Sequence, residues 1–238
     1  MRSSPALALV TALLASCFFL SALGHPASRL GPAHAALHRA VLRRASTVTA
    51  AQLQQIAPTS NTCSGAPAAD ECRTATQAAP LISQAFSTYA ISTPGEMAAL
   101  IGLMAFETDD FKYDKNHYPG TPGQGTRNMQ MITYNYKYAA SIPALVSQLQ
   151  AAAPGGTVPT DPDAQNAVRQ LVLTDQYDFG SAAWFLTTQC GPSVRAGLQA
   201  GSETGWETYI SSCVGTTVTD DRKAYWTRAL AALGGSAA

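Results

Sequence analysis

The stretch GEMAALIGLMAFETDDFKYDKNHYPGTPGQGTRNMQMITYNY, residues 95–136, sets one carboxylate, Glu107, at the end of an almost wholly apolar run. A polar, aromatic, glycine-bearing segment follows at once. Thr93, Pro94 and Glu96 stand where an N-cap, a first-turn proline and a capping-box partner belong, so a helix is expected over 94–107. From Met97 to Phe106 no side chain is charged or strongly polar, the mark of a helix buried on most sides. Leu100, Leu103 and Met104 lie seven, four and three residues before Glu107 and share its face. A carboxyl held against apolar side chains has its charged form disfavoured and can stay protonated near neutral pH. Such a group suits the general acid that cleavage of a glycosidic bond requires. The alternative is that Glu107 merely ends the helix in solvent beside Asp109 and Asp110.

The N-terminus reads as two processing segments. Residues 1–24 carry Arg2, the apolar run Ala6 to Leu20 and small residues at Ser21, Ala22 and Gly24, the pattern of a secretory signal peptide too short and wrongly flanked for a membrane span. Residues 25–44 hold Arg29, Arg39 and the pair Arg43-Arg44 with no acidic residue, which reads as a propeptide cut after Arg44; the alternative is a basic N-terminal arm. The expected mature chain is a single domain, residues 45–238, exported and monomeric.

From Ala45 onward, ten Lys and Arg stand against fifteen Asp and Glu, a net charge of −5. Such a balance disfavours nucleic acid and anionic membranes as partners. His117 is the one histidine left in that stretch, which leaves almost no room for a Ser-His-Asp site or a histidine-rich zinc site. Gly-rich phosphate loops are absent, and no cofactor or metal is expected.

Four cysteines remain after the signal peptide, an even number in an oxidising compartment. Three pairings are open; the local ones, Cys63–Cys72 and Cys190–Cys213, are favoured. Helical patterns dominate and the chain reads as mainly α, with helices expected over 48–56, 79–90, 94–107, 142–152, 162–173, 180–189, 192–200, 203–213 and 219–232. Strand signals are scarce, and GTPGQGTRNMQMIT, 120–133, is where a small β-hairpin or irregular lobe is expected. Residues 151–163 read as a surface loop rich in Pro and Gly.

Three motifs in order resemble the lysozyme superfamily, and the family 19 chitinases in particular. AFET at 105–108 is similar to their helix-ending H-E-T. GQGTRNMQMITYNYKY at 123–138 is similar to their G-R-G-P-I-Q-L-T-x-N-Y-N-Y, and FGSAAWFL at 179–186 to their F-K-T-A-x-W-F-W. DRKAYW at 221–226 resembles their closing D-R-x-x-Y-Y segment. Glu107 followed by Gln130 in NMQMIT also resembles the E…G-L-M-Q-I pattern of goose-type lysozymes and lytic transglycosylases. The resemblance spans roughly residues 93–230 and implies a lysozyme-like helical domain with the acid glutamate at a helix end.

The departures shape the site expectation. Phe106 stands where the family has histidine, and no second glutamate lies between Glu107 and Gly123. An inverting mechanism needs two carboxylates roughly 6.5–9.5 Å apart, and of Asp109, Asp110 and Asp114 the last is the better candidate base, since the first two are expected to share the helix end. Alternatively a single carboxylate suffices, with the substrate's acetamido group or a positioned water in place of the base. The candidate substrate contacts are Gln124, Asn128, Gln130, Thr133, Tyr134 and Asn135, amides for directional hydrogen bonds and an aromatic face for a pyranose. The family 19 register puts the cleft glutamine at Asn128 and the goose-type register at Gln130, which is preferred. Tyr136, Tyr138, Trp184, Phe185, Trp206 and Trp226 are expected to pack in the core.

Together these features imply a secreted hydrolase of β-1,4 bonds in chitin, chitosan or peptidoglycan. The acidic balance points to neutral chitin or cationic chitosan. The runner-up is a secreted carbohydrate-binding or effector protein that has lost turnover, and a third reading is cleavage of a polymer without amino sugars, such as a mannan.

Overall fold

The computed structural model describes residues 47–235; the expected signal peptide and propeptide lie outside them. The fold is mainly α, and among the described residues there is no sheet. In chain order the helices are α1 (Ala50–Ile56), α2 (Ala75–Thr88), α3 (Pro94–Glu107), α4 (Ile132–Ser141), α5 (Val146–Ala152), α6 (Pro162–Val172), α7 (Asp175–Asp178), α8 (Ser181–Thr188), α9 (Pro192–Gln199), α10 (Glu203–Thr208) and α11 (Asp220–Ala232).

Helix α3 is the central column, with every residue from Gly95 to Ala105 buried. Thr93 caps it as expected, its hydroxyl accepting from the Glu96 amide, although the Glu96 carboxylate turns to the Thr93 hydroxyl and to Arg195 rather than closing a full capping box. Helix α11 makes the most extensive contact with it. Gly102 permits that approach, because a Cβ there would sit 3.1 Å from the Trp226 backbone nitrogen. Trp226 in turn stacks on Trp206 of α10 at 5.1 Å, so both indoles are core and neither edges a cleft.

Buried side chains form two clusters. The larger gathers α1, α2, α3, α9, α10 and α11; the smaller joins α4, α5 and α6 to Trp184 and Phe185 of α8. Both expected disulfides are present: Cys63–Cys72 closes the loop before α2, and Cys190–Cys213 ties the end of α8 to the turn after α10.

Several expectations are corrected. The helix expected over 79–90 is α2, four residues earlier, because Thr74 and Gln77 form a reciprocal capping box. Pro80 falls inside it, where both Pro80 and Thr76 are exposed and the carbonyl that loses its partner can be solvated. Helix α4 replaces coil after the irregular segment, and the expected 142–152 helix starts with a 3₁₀ turn over Pro143–Leu145. The stretch expected as one helix over 203–213 is α10 continued by a π-helix over Tyr209–Val214, where Tyr209 and Ile210 are buried and Cys213 is tethered. Of the two forms expected for the lobe between α3 and α4, a small hairpin or an irregular segment, it takes the irregular one, pinned by two isolated antiparallel bridges, Lys115 to Gly125 and Gly125 to Gln130.

Candidate active site

The chain must reverse sharply after Glu107, and the reversal is built from side chains. The Thr108 hydroxyl donates to the Met104 carbonyl at 2.6 Å and accepts from the Phe111 amide at 3.0 Å. Asp109, Asp110 and Phe111 then take positive φ values of 49°, 59° and 68°. Left-handed backbone costs a non-glycine residue roughly 1–2 kcal/mol, so such a run must be held from outside. Asp110 does this: one carboxylate oxygen accepts from the Thr59 amide and hydroxyl, the other from the Tyr225 hydroxyl at 2.8 Å. Asp110 is buried and fully engaged, and Asp109 is exposed.

Glu107 lies where two adjoining cavities meet, one of about 300 Å³ and one of about 360 Å³. The first is walled by Leu103, the 128–131 segment, Tyr134, Phe185, Val214, Thr216 and Arg222. The second is walled by Tyr113, Lys115, Asn116, His117 and Tyr118; Gln124 and Met129 line both. Glu107 is the one carboxylate among the residues lining either cavity.

The expected wholly apolar setting for Glu107 is corrected. Arg222 of α11 donates to its Oε1 at 2.6 Å, and the same guanidinium lies 4.3 Å from the centre of the Phe106 ring. Phe106 therefore supports the arginine that pairs with the glutamate. Nearby, the Tyr209 hydroxyl is buried with no hydrogen-bond partner among the described residues, and burial followed by the charge of Glu107 pushes it up from the usual tyrosine range.

The segment 123–131 depends on glycine at two points. A Cβ on Gly123 would meet the Ile132 side chain at 2.7 Å, and one on Gly125 would meet the Asp114 carbonyl at 2.8 Å. Inside this segment the amides mainly hold one another. Gln130 donates to Asn135 Oδ1 at 2.8 Å, Asn135 donates to the Gly123 carbonyl at 2.8 Å, and Asn128 accepts from Thr126 and from Ser181 at 2.7 Å. Asn128 and Gln130 still line the first cavity, whereas Asn135 is fully buried and acts as a bolt for the loop. Thr133 is exposed on α4 and lines neither cavity. Tyr134 lines the first cavity with its ring edge-on to Phe185 at 4.8 Å, and Gln124 is fixed by donating to the Met129 carbonyl at 2.9 Å. Tyr138 packs on Trp184 in the core as expected.

Asp114 is buried and lines neither cavity around Glu107. Burial and then the charge of Glu71 push its carboxyl up to about 6, and its Oδ1 has no partner. Glu71 takes the opposite course. Burial opposes its charge, but hydrogen bonds from Lys115 and His117 and from the Asp114 amide outweigh that and bring it down to about 2. Of this pair Asp114 is the carboxyl whose ionisation is disfavoured.

Beneath both lies a fully buried ion pair, Arg127 to Asp178 at 2.5 Å. Arg127 also donates to the carbonyls of Phe111, Tyr113 and Glu71, so one side chain joins the turn after α3, the second cavity wall and the loop before α2.

Sequence reasoning missed Glu71, Arg127, Asp178 and the role of Arg222. The DRKAYW motif was the one available signal for Arg222; the contacts that join Glu71, Arg127 and Asp178 to one another and to Asp114 cross 43 to 56 residues with no local pattern.

No protein-family model and no solved structure matches the chain. Over 175 residues, 72% of its length, it is 44% identical to a "Bifunctional dioxygenase (DOX)-epoxy alcohol synthase (EAS)" of Fusarium oxysporum (strain Fo5176). That relative is an enzyme, and the matched stretch spans 13% of its length.

Proposed function

We propose that the chain is a secreted, monomeric glycoside hydrolase of the lysozyme-like kind, cleaving β-1,4 bonds in chitin, chitosan or peptidoglycan with Glu107 as general acid. The observation that carries this reading is the place of Glu107, the single carboxylate at the junction of two cavities. A polymer lying along both would pass its scissile bond over that carboxyl. Gln124, Asn128 and Gln130 offer amide groups and Tyr134 an aromatic edge, the mixture that carbohydrate sites use. The acid donates its proton to the glycosidic oxygen as the bond breaks. Asp114 remains the candidate base, although it lines neither cavity. The route that needs no second carboxylate uses a substrate acetamido group or a water held by Gln124.

A second reading, a carbohydrate-binding protein without turnover, is favoured by the Arg222 ion pair, which occupies one oxygen of the Glu107 carboxyl. A third follows from the relative's name: this stretch serves dioxygenase or epoxy alcohol synthase chemistry, and oxygen uptake by the purified chain would favour it. The first reading is tested by assaying new reducing ends on soluble chitin, chitosan and peptidoglycan. Release from at least one of them supports it, and binding without release transfers the case to the second reading.

A further inference from the structure

The second cavity wall is gathered onto one buried carboxylate that lies more than 40 residues upstream. Glu71 receives the Lys115 ammonium at 2.6 Å and the His117 Nε2 at 2.9 Å on Oε1, and the Asp114 amide at 3.1 Å on Oε2. Glu71 itself lines neither cavity around Glu107, whereas Lys115 and His117 line the second. Its own backbone is fixed twice, by the adjoining Cys72 in the bridge to Cys63 and by its carbonyl, which accepts from Arg127 at 2.7 Å. The wall is also held by backbone bonds from Asn116 to Gln124 and from Thr126 to Asp114, and by Arg127 donating to the Tyr113 carbonyl. Beyond His117, whose ring packs on Tyr113 at 5.1 Å, Tyr118 is 93% exposed and lines the same cavity. Without Glu71, the Lys115 and His117 side chains would lose their shared anchor and residue 118 beyond them would lose its tether.

We propose that Glu71 is the positioning residue of this wall: through Lys115, His117 and the Asp114 amide it fixes residues 113–118 and so sets how tightly a sugar chain is gripped on that side of Glu107. The grip rests on the proposed function; the fixing of the wall does not.

Glu71→Gln keeps the size and one acceptor oxygen but removes the charge. In the full mature chain, amide hydrogen exchange of residues 114–118 should rise at least about tenfold while α3 and α11 amides keep their protection. KM for chitin or chitosan oligomers should rise about tenfold with kcat within about twofold, because the group that meets the scissile bond is untouched. Glu71→Asp, which restores the charge on a shorter arm, should recover part of both. If Glu71→Gln does not fold, the double variant Lys115→Gln/His117→Gln removes the other side of the contact and should give the same local exchange. Exchange within about twofold of wild type, or a rise shared equally by α3 and α11, overturns the proposal. So does a fall in kcat with unchanged KM. If the wild type neither binds nor cuts any of these oligomers, the proposed function fails, and the exchange data alone decide whether Glu71 fixes the wall.

Discussion

Replacing Arg127 with leucine removes the charge that faces Asp178 in a fully buried pair. Breaking such a pair from one side costs roughly 3–5 kcal/mol, because the remaining charge is left without a partner. Three carbonyls, those of Phe111, Tyr113 and Glu71, lose a donor as well, so the upper part of that range is expected. At about 2–4 °C per kcal/mol for a domain of this size, the melting temperature should fall by roughly 10–20 °C. The loss should depend on pH. Burial pushes Asp178 up to about 7 even beside Arg127, so its folded value lies above the unfolded one. A raised carboxyl contributes stability that is present at low pH and lost as pH rises through the folded value. In Arg127→Leu the carboxyl can stay protonated at pH 5 but must ionise unpaired or remain protonated at a cost at pH 8, so the deficit should be larger at pH 8. Adding Asp178→Leu should return part of the loss, since replacing both members of a buried pair with apolar residues is far milder than removing one. Thermal unfolding followed by circular dichroism at both pH values measures all of this. A fall of less than about 3 °C at pH 8, or a double variant whose loss is the sum of the two single ones, would refute the reasoning.

Asp114→Asn should be better tolerated as pH rises. The wild-type carboxyl, raised to about 6, contributes stability below its unfolded value that is lost as pH rises through 6, so the variant should gain about 2–4 °C on wild type between pH 5 and pH 8 in the same melting assay. Cys190→Ser opens a bridge spanning 23 residues and should lower stability by about 3 kcal/mol in urea unfolding while leaving Glu107 chemistry in place; non-reducing peptide mapping should recover both disulfides. Gly205→Ala should disrupt the crossing of α9 and α10, because its Cβ would fall 2.4 Å from the Gly197 carbonyl; about 2 kcal/mol or more is expected, read as a fall in melting temperature.

Helix α3 was legible because its signals are local: a threonine cap, a first-turn proline and an uninterrupted apolar run all lie within fifteen residues of one another. Both disulfides were legible for the same reason of short separation. Helix α2 starts four residues before the expected position because Thr74 and Gln77 form a reciprocal capping box there, a signal of two residue types that recur often in the chain. Helix α4 was hidden by its polar and aromatic composition, which its burial against α6 explains only in three dimensions. At the site, Gln124, Asn128, Gln130 and Tyr134 line a cavity, but Asn135 and Thr133 could not be told from them by residue type. One is spent on internal hydrogen bonds and the other faces solvent. The contacts of Glu71 and Arg127 join distant segments, and no spacing in a single sequence announces them.

The central claim is the chemistry of Glu107, and Glu107→Gln tests it most directly. The amide keeps the shape of the side chain and can still meet Arg222, but it has no proton to donate. On whichever of chitin, chitosan or peptidoglycan the wild type cleaves, release of reducing ends should fall by roughly 10²–10⁴, with the melting temperature within about 3 °C of wild type and oligosaccharide binding retained. Undiminished cleavage by the variant would contradict the account.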